Sequence, residues 1–355
     1  MKKHISIIVA AAMVCSVLSA CGSKVPENVE AVSGVSTKAA DQTESGDGIS
    51  VVTTIFPEYD WVQNIVGENP GNAEISMLLD NGVDLHSYQP TADDIMKIAT
   101  CDMFVYVGGE SDEWVEDALK EATNKDMVVI DLLDVLGDDI KEEEIVEGME
   151  HEHEEGEEHD HEEGEEHEHE HEEGEVEYDE HVWLSLNNAA KLCNAIKDGF
   201  VKIDEANKDV YEKNTQEYVG KLTALDAEYK KVVDSASVKT LLFADRFPFR
   251  YLVDDYGLDY YAAFVGCSAE TEASFETVTF LSKKVDELGL SSIMTIEGKD
   301  HKIAETVKQN TSKKDQKILT MDSLQSTTSK DVESGVTYLS VMEGNLEVLK
   351  EALTK

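Results

Sequence analysis

The strongest constraint on the fold is an alternation of short apolar runs with helix-like segments, which occurs before residue 140 and again after residue 236. Helix-start signals follow the apolar runs, such as Pro57 and the capping box that begins at Thr91. Repeated strand-then-helix order is the pattern of a parallel sheet covered by helices. We therefore predict an α/β fold with two domains, each built on a mainly parallel sheet. The predicted strands are residues 49–56, 75–79, 103–107 and 127–132 in the first domain, and 240–243, 260–264, 293–296 and 318–321 in the second.

A segment without proline separates the two alternations. Between residues 205 and 233 it has a single glycine, and apolar residues recur at helical spacing. This pattern predicts one long helix over residues 205–235, which would join the domains rigidly because bending a helix breaks backbone hydrogen bonds. We therefore place an N-terminal domain at residues 49–204 and a C-terminal domain at residues 236–355.

The first 21 residues have the order of an export signal. Two lysines precede the apolar run from Ile5 to Leu18, which is too short to span a bilayer permanently. The small residues before Cys21 resemble the bacterial lipobox, and this resemblance implies that Cys21 becomes the lipid-modified first residue of the mature chain. Residues 22–48 are rich in small, polar and acidic residues and are predicted to be a flexible tether. We expect an extracytoplasmic protein whose lipid anchor lies in the cytoplasmic membrane.

The net charge of −46 is concentrated in one part of the chain. Residues 138–180 carry roughly half of the acidic excess, and a histidine and glutamate repeat fills their centre. No apolar residue lies between Glu150 and Glu175, so we predict a mobile loop over residues 138–178. Elsewhere no basic patch suits a nucleic acid. Imidazoles among carboxylates can collect transition metals, and the histidines concerned are His151, His153, His159, His161, His167, His169 and His171.

The loop also contains a formal match to the His-Glu-x-x-His pattern of zinc peptidases, at residues 167–171. That pattern needs a stable helix, whereas Gly164 and Gly174 flank this stretch. No other motif supplies a nucleophile elbow or a phosphate loop. We therefore expect no enzymatic activity.

Three histidines lie outside the loop and the export signal: His86, His181 and His301. His86 falls between a predicted strand end and a helix start, the kind of position where parallel α/β sheets bind ligands. His181 comes just after the acidic loop and also leads into a helix. His301 follows an aspartate at a predicted helix start and is interpreted as a surface residue.

Two stretches around these histidines resemble motifs of the metal-specific solute-binding lipoproteins of bacterial ABC importers. Residues 84–91, Asp-Leu-His-Ser-Tyr-Gln-Pro-Thr, are similar to the first ligand motif of that family, and residues 179–184, Asp-Glu-His-Val-Trp-Leu, are similar to the second. The resemblance implies two α/β domains joined by a long rigid helix, with His86 and His181 as metal ligands from the first domain. A His-rich loop before the second motif is associated with the zinc-type members.

The resemblance implies further ligands from the second domain. An acid after the last strand is present as Asp322, but the family's histidine in a Phe-His-Asp-Ala-Phe stretch is missing, and Ala244 or Arg246 stands there. Either the site has three protein ligands, or Asp245, Glu270 or a loop histidine completes it. Losing a nitrogen ligand weakens the preference for zinc over manganese or iron.

The remaining cysteines, which match no zinc-finger spacing, are interpreted as small buried thiols: Cys101, Cys193 and Cys267.

These observations together predict a monomeric binding protein that captures zinc in an interdomain cleft. Delivery to the membrane permease of an ABC importer is implied by the resemblance alone. The alternatives are a manganese or iron binding protein of the same family, and a surface zinc buffer or adhesin with the same fold. An extracellular zinc enzyme would need an open coordination position at the metal.

Overall fold

A computed structural model of the protein describes residues 48–68, 70–149, 177–268, 272–298 and 300–354. Cys21, Glu270 and the seven loop histidines, for which lipidation or metal binding is predicted, lie outside the described residues. Among the described helices, none combines the length and the apolar character that a membrane span requires.

The first sheet has four parallel strands, with β1 and β3 at its centre. Val51, Val52 and Phe104 on these central strands are all buried, as expected when helices cover both faces of a sheet. The strand order is β2-β1-β3-β4. The strands are β1 (Ser50–Thr53), β2 (Glu74–Met77), β3 (Met103–Tyr106) and β4 (Val128–Asp131).

The second sheet repeats this topology in the order β6-β5-β7-β8, again with parallel pairs. Its first strand extends to Phe247, four residues beyond the predicted end, because a register shift between Phe243 and Arg246 lets pairing resume with the neighbouring strand. The predicted α/β class with two mainly parallel sheets is confirmed. The strands are β5 (Thr240–Phe247), β6 (Asp259–Val265), β7 (Ser292–Ile296) and β8 (Lys317–Met321).

The predicted long helix is present and connects the two sheets. It begins at Lys208, three residues after the predicted start, because residues 205–207 form a 3-10 turn. The hydroxyl of Tyr218 donates to Asp60 at 2.8 Å, and that of Tyr229 donates to the Met342 carbonyl at 2.6 Å. The helix is therefore fixed to elements on both sides of it. The helices are α1 (Phe56–Val66), α2 (Ala92–Thr100), α3 (Trp114–Lys120), α4 (Leu132–Leu136), α5 (Leu186–Ile203), α6 (Lys208–Ser235), α7 (Arg250–Tyr256), α8 (Phe275–Leu288), α9 (Lys302–Asn310), α10 (Ser329–Glu333) and α11 (Tyr338–Ala352).

Loops from the carboxyl ends of both sheets meet between them. We call the described residues before α6 the N-terminal half and those after it the C-terminal half. The Trp183 indole of the N-terminal half donates to the carbonyl of Ser323, which follows β8, at 2.9 Å. The Tyr338 hydroxyl of α11 donates to the Trp183 carbonyl at 2.6 Å. The two halves are therefore in direct contact where the predicted ligands lie.

A buried carboxylate shapes the loop after β3. Asp112 accepts hydrogen bonds from the backbone of Val107 and Gly108, both at 3.0 Å, while its Oδ1 atom has no partner among the described residues. Burial, with the nearby charges of Glu180 and Asp131, raises the pKa of Asp112 to about 7. Ionising this group in the folded protein is therefore unfavourable.

We expect Asp112→Asn to flatten the pH dependence of stability in the metal-free protein. Because the folded-state pKa of Asp112 is raised, its contribution is fully present below about pH 4 and is lost as the pH rises to about 7. The loss for the wild type should be on the order of 2 to 4 kcal/mol. Urea unfolding at several pH values measures this. The exposed Asp138→Asn serves as the control, and an unchanged slope in Asp112→Asn would contradict the assignment.

Candidate metal centre

His86 lies in a 3-10 turn that its own motif builds. The turn spans Leu85–Ser87, and the Asp84 carboxylate caps it by accepting the His86 backbone N–H at 3.1 Å. The His86 ring is held at its Nδ1 atom, which lies 2.8 Å from the Ser111 hydroxyl and 3.3 Å from Glu180 Oε2. A proton on Nδ1 would point to these oxygens and would leave Nε2 free to bind a cation.

His181 is arranged in the same way by the second motif. Asp179 Oδ1 accepts from both the backbone N–H and the ring Nδ1 of His181, at 2.9 and 3.0 Å. The ring is completely buried. An Nδ1 proton would therefore be directed to Asp179, which leaves Nε2 as the ring nitrogen available to a metal ion. A histidine whose second nitrogen donates to a carboxylate is the usual arrangement at a protein metal site.

The Nε2 atoms of the two rings face each other at a distance of 3.2 Å. The side-chain amide of Gln325 also lies within hydrogen-bonding distance of His181 Nε2. Two nitrogens bound at 2.0–2.1 Å to a tetrahedral zinc lie about 3.3 Å apart. The structure therefore brings the two predicted histidines together at the separation that a common metal ion requires.

A third group joins this pair from the C-terminal half. Cys267 follows β6, and its sulfur, one ring nitrogen of His86 and one ring nitrogen of His181 all lie within 4.8 Å of one another. Burial and the charges of Asp179, Glu143 and Glu180 raise the pKa of the Cys267 thiol well above its ordinary value. The prediction that Cys267 is a buried thiol is corrected, because the side chain is partly exposed and lies beside the histidines.

Asp322 follows β8 as predicted but is not part of this group. Its Oδ1 atom accepts the Leu324 N–H at 2.8 Å, and its backbone N–H and carbonyl both bond to the Asn345 side chain. Burial and the charge of Glu297 raise the pKa of Asp322 to about 6. Its role as a metal ligand stays a prediction, and these contacts give it no support.

The positions around the missing histidine have other contacts. Ala244 is buried in the core of the C-terminal half, and Asp245 accepts backbone hydrogen bonds from Arg246 and Ile296 at 3.0 and 3.3 Å. Arg246 instead extends into the site, where its Nη2 atom lies 2.7 Å from Asp84 Oδ2. Burial opposes ionisation of Asp84, but the Arg246 guanidinium outweighs it and lowers the pKa of that carboxyl. The possible role of Asp245 as a fourth ligand stays a prediction.

An acidic cavity of about 260 Å³ opens beside the three groups. Glu180 lies on its wall, where its Oε1 atom accepts the Ser111 N–H at 2.9 Å. Burial raises the pKa of Glu180, but hydrogen bonds with His86 and Ser111 outweigh this effect and lower it. A negative cavity favours the approach of a cation. Its lining consists of His86, Glu110, Ser111, Glu143, Glu177, Tyr178, Glu180 and Cys267.

Two residues that border the histidine rings were not predicted from the sequence. Glu180 Oε2 lies 3.3 Å from His86 Nδ1. Gly266 lies against the other ring, since a Cβ atom there would come within 2.9 Å of His181 Cε1. The dipeptide Gly266-Cys267 follows a predicted strand, but nothing in the local sequence indicates that it lies against the histidines of the other half.

Comparison with known proteins gives consistent matches over nearly the whole described chain. Residues 51–352 match the family described as zinc-uptake complex component A, periplasmic. The high-affinity zinc uptake system protein ZnuA of Bacillus subtilis is 31% identical over 325 residues, which cover 92% of this chain and 93% of that protein.

A relative from Streptococcus pneumoniae serotype 4, the zinc-binding lipoprotein AdcA, is 30% identical over 316 residues and 88% of this chain. The chain spans only 57% of the length of that relative. The crystal structure of the Zn(II)-bound ZnuA-like domain of S. pneumoniae AdcA superposes with a TM-score of 0.65 at 27% identity. It covers 87% of this chain and 100% of the domain.

Proposed function

Since the chain belongs to the family of the periplasmic component A of zinc-uptake complexes, we propose that it captures zinc outside the cytoplasmic membrane and delivers it to the permease of an ABC importer. In this proposal a lipid on Cys21 anchors the chain to the membrane, and a monomer carries one ion in the cleft between its halves. The His-rich segment collects metal for this site. The protein acts as a carrier and not as an enzyme.

One observation carries the proposal: the Nε2 atoms of His86 and His181 lie 3.2 Å apart, and the Nδ1 atom of each ring has a carboxylate oxygen within 3.3 Å. A metal ion bound by both nitrogens would satisfy them at a position that is largely shielded from water. The burial of His181 also supports binding over catalysis, since a catalytic zinc keeps a position open to substrate.

Nitrogen ligands favour zinc over harder ions such as manganese, so the two histidines support zinc as the cargo. The alternative function, a surface zinc buffer or adhesin, differs from a carrier in where the metal is bound. A buffer would store its metal in the His-rich segment, whereas a carrier needs one tight site outside it.

We expect the protein purified without residues 1–21 to bind about one zinc ion tightly and several weakly. Deleting residues 150–176 should remove the weak sites and leave the tight one unchanged. The deletion is feasible because residues on both sides are close together: Glu142 bridges to Tyr178, and the Glu143 N–H donates to the Glu177 carbonyl at 2.9 Å. Isothermal titration with zinc, and then with manganese and iron(II), measures both classes of site.

The outcome separates the candidate functions. If the deleted protein loses nearly all zinc capacity, the chain is a buffer and the carrier proposal is wrong. If manganese binds more tightly than zinc at the remaining site, the cargo is manganese. Tight zinc binding at about one ion per chain, with weaker manganese and iron binding, is the result that supports zinc capture.

A further inference from the structure

We propose that the Cys267 thiolate is the third protein ligand of the captured zinc, contributed by the C-terminal half in place of the missing histidine. The inference rests on the proposed function, because it concerns the same ion. A sulfur ligand would strengthen the preference of the site for zinc over manganese.

The geometry around Cys267 fits this role. The Cys267 sulfur and one ring nitrogen of each histidine lie within 4.8 Å of one another, and the two Nε2 atoms are 3.2 Å apart. Zinc–sulfur bonds are about 2.3 Å and zinc–nitrogen bonds about 2.0–2.1 Å. With such bonds a sulfur and a nitrogen on one tetrahedral ion lie about 3.6 Å apart, so a movement of the sulfur by up to about 1 Å would complete three corners of a tetrahedron.

The backbone of the loop after β6 is held in place independently of any metal. The Cys267 N–H donates to Glu143 Oε1 at 3.2 Å, and the Ser268 carbonyl accepts from Arg246 Nη1 at the same distance. Gly266 allows the loop to lie directly on the His181 ring. These contacts place the thiol beside the histidines and on the wall of the acidic cavity, from which an ion can enter.

The carboxylates around Cys267 oppose a free thiolate, but a bound divalent cation deprotonates a coordinating thiol. When zinc binds, a zinc–sulfur bond forms, the S–H bond breaks and the proton passes to solvent, so no oxidant or reductant is required. The resulting ligand set of two nitrogens and one sulfur is softer than one completed by a carboxylate. It should therefore discriminate more strongly against manganese, which prefers oxygen ligands.

The first test is spectroscopic and uses the protein without residues 1–21 and without residues 150–176, loaded with cobalt(II). A thiolate bound to cobalt gives a ligand-to-metal charge-transfer band in the near ultraviolet, which nitrogen and oxygen ligands do not give. We expect this band in the wild type and its absence in Cys267→Ser. The wild-type spectrum decides the question even if the variant folds poorly.

The second test is zinc affinity, measured by competition with a chromophoric chelator. Cys267→Ser should bind zinc at least about 100-fold more weakly, since losing a ligand costs more than losing a residue that orients one. Its zinc-to-manganese affinity ratio should fall at least about 10-fold. Cys193→Ala, which removes a thiol buried in α5, should bind like the wild type, and Asp322→Asn should lose less than Cys267→Ser.

Two results would overturn the inference: a wild-type cobalt complex without the charge-transfer band, or zinc binding by Cys267→Ser within about threefold of the wild type. Either can occur while the wild type still binds zinc tightly, and the proposed function would then stand. If the wild type binds no zinc tightly, the proposed function itself has failed.

Discussion

Replacing His181 by alanine is expected to weaken zinc binding at the tight site by at least about 1,000-fold, which corresponds to about 4 kcal/mol. The ring supplies one of two nitrogens 3.2 Å apart, and its Nδ1 atom is held at 3.0 Å by Asp179. Because the side chain is completely buried, no solvent-exposed residue can take its place. Chelator competition in the protein lacking residues 150–176 measures the loss without interference from weak sites.

The matched control is His301→Ala, which removes the histidine at the start of α9. It should leave the zinc affinity within about threefold of the wild type. Thermal unfolding of the metal-free His181→Ala protein shows whether the fold survives, and a native transition combined with lost binding assigns the effect to ligation. Tight zinc binding that persists in folded His181→Ala would exclude the paired histidines as the site.

The fold was predictable because its signals are local. The apolar runs that became β3 and β7 are short, rich in β-branched or aromatic residues and bounded by turns, so their strand character follows from composition alone. The long helix followed from helical spacing without proline. The end of β5 was not predictable, because the register shift after Phe243 depends on pairing with a strand about 20 residues away.

Only those parts of the site that a single short motif holds in place were predictable from the sequence. Asp84 with His86, and Asp179 with His181, are each two residues apart, and each aspartate fixes its histidine within one turn. Cys267 has no such local partner. Cys267 lies beside the histidines because the carboxyl end of β6 is next to the loops of the other half that carry them. The local sequence around Cys267 does not encode this relation between the two sheets.

The C-terminal half therefore contributes in two ways. Its Cys267 is the proposed third ligand of the ion. Its Ser323 carbonyl accepts a hydrogen bond from Trp183, which lies in the turn after His181. Both of the chain's arginines, Arg246 and Arg250, lie in this half and reach acidic residues of the other, Asp84 and Glu144. The rigid, multiple-donor guanidinium suits such contacts better than a lysine does.

Arg246→Met is expected to lower zinc affinity about 10- to 100-fold, the range typical of residues that orient metal ligands. Arg246 binds Asp84 Oδ2 at 2.7 Å and the Ser268 carbonyl at 3.2 Å, so it joins the turn that carries His86 to the loop that carries Cys267. Without Arg246, the turn that carries His86 and the loop that carries Cys267 both lose a contact that holds them in place. Most of the effect should appear as faster zinc release, because the contact stabilises the assembled site, and stopped-flow transfer to a chelator measures that rate.

Arg250→Met provides the matched control, because it breaks an ion pair between the same two halves that touches neither histidine. Arg250 Nε lies 3.3 Å from Glu144 Oε2, and the release rate should change less than about threefold. Arg246→Lys should resemble Arg246→Met more than the wild type, since one ammonium cannot reach Asp84 and Ser268 with the geometry of a guanidinium. Equal release rates for Arg246→Met and Arg250→Met would show that Arg246 acts only as a general contact between the halves.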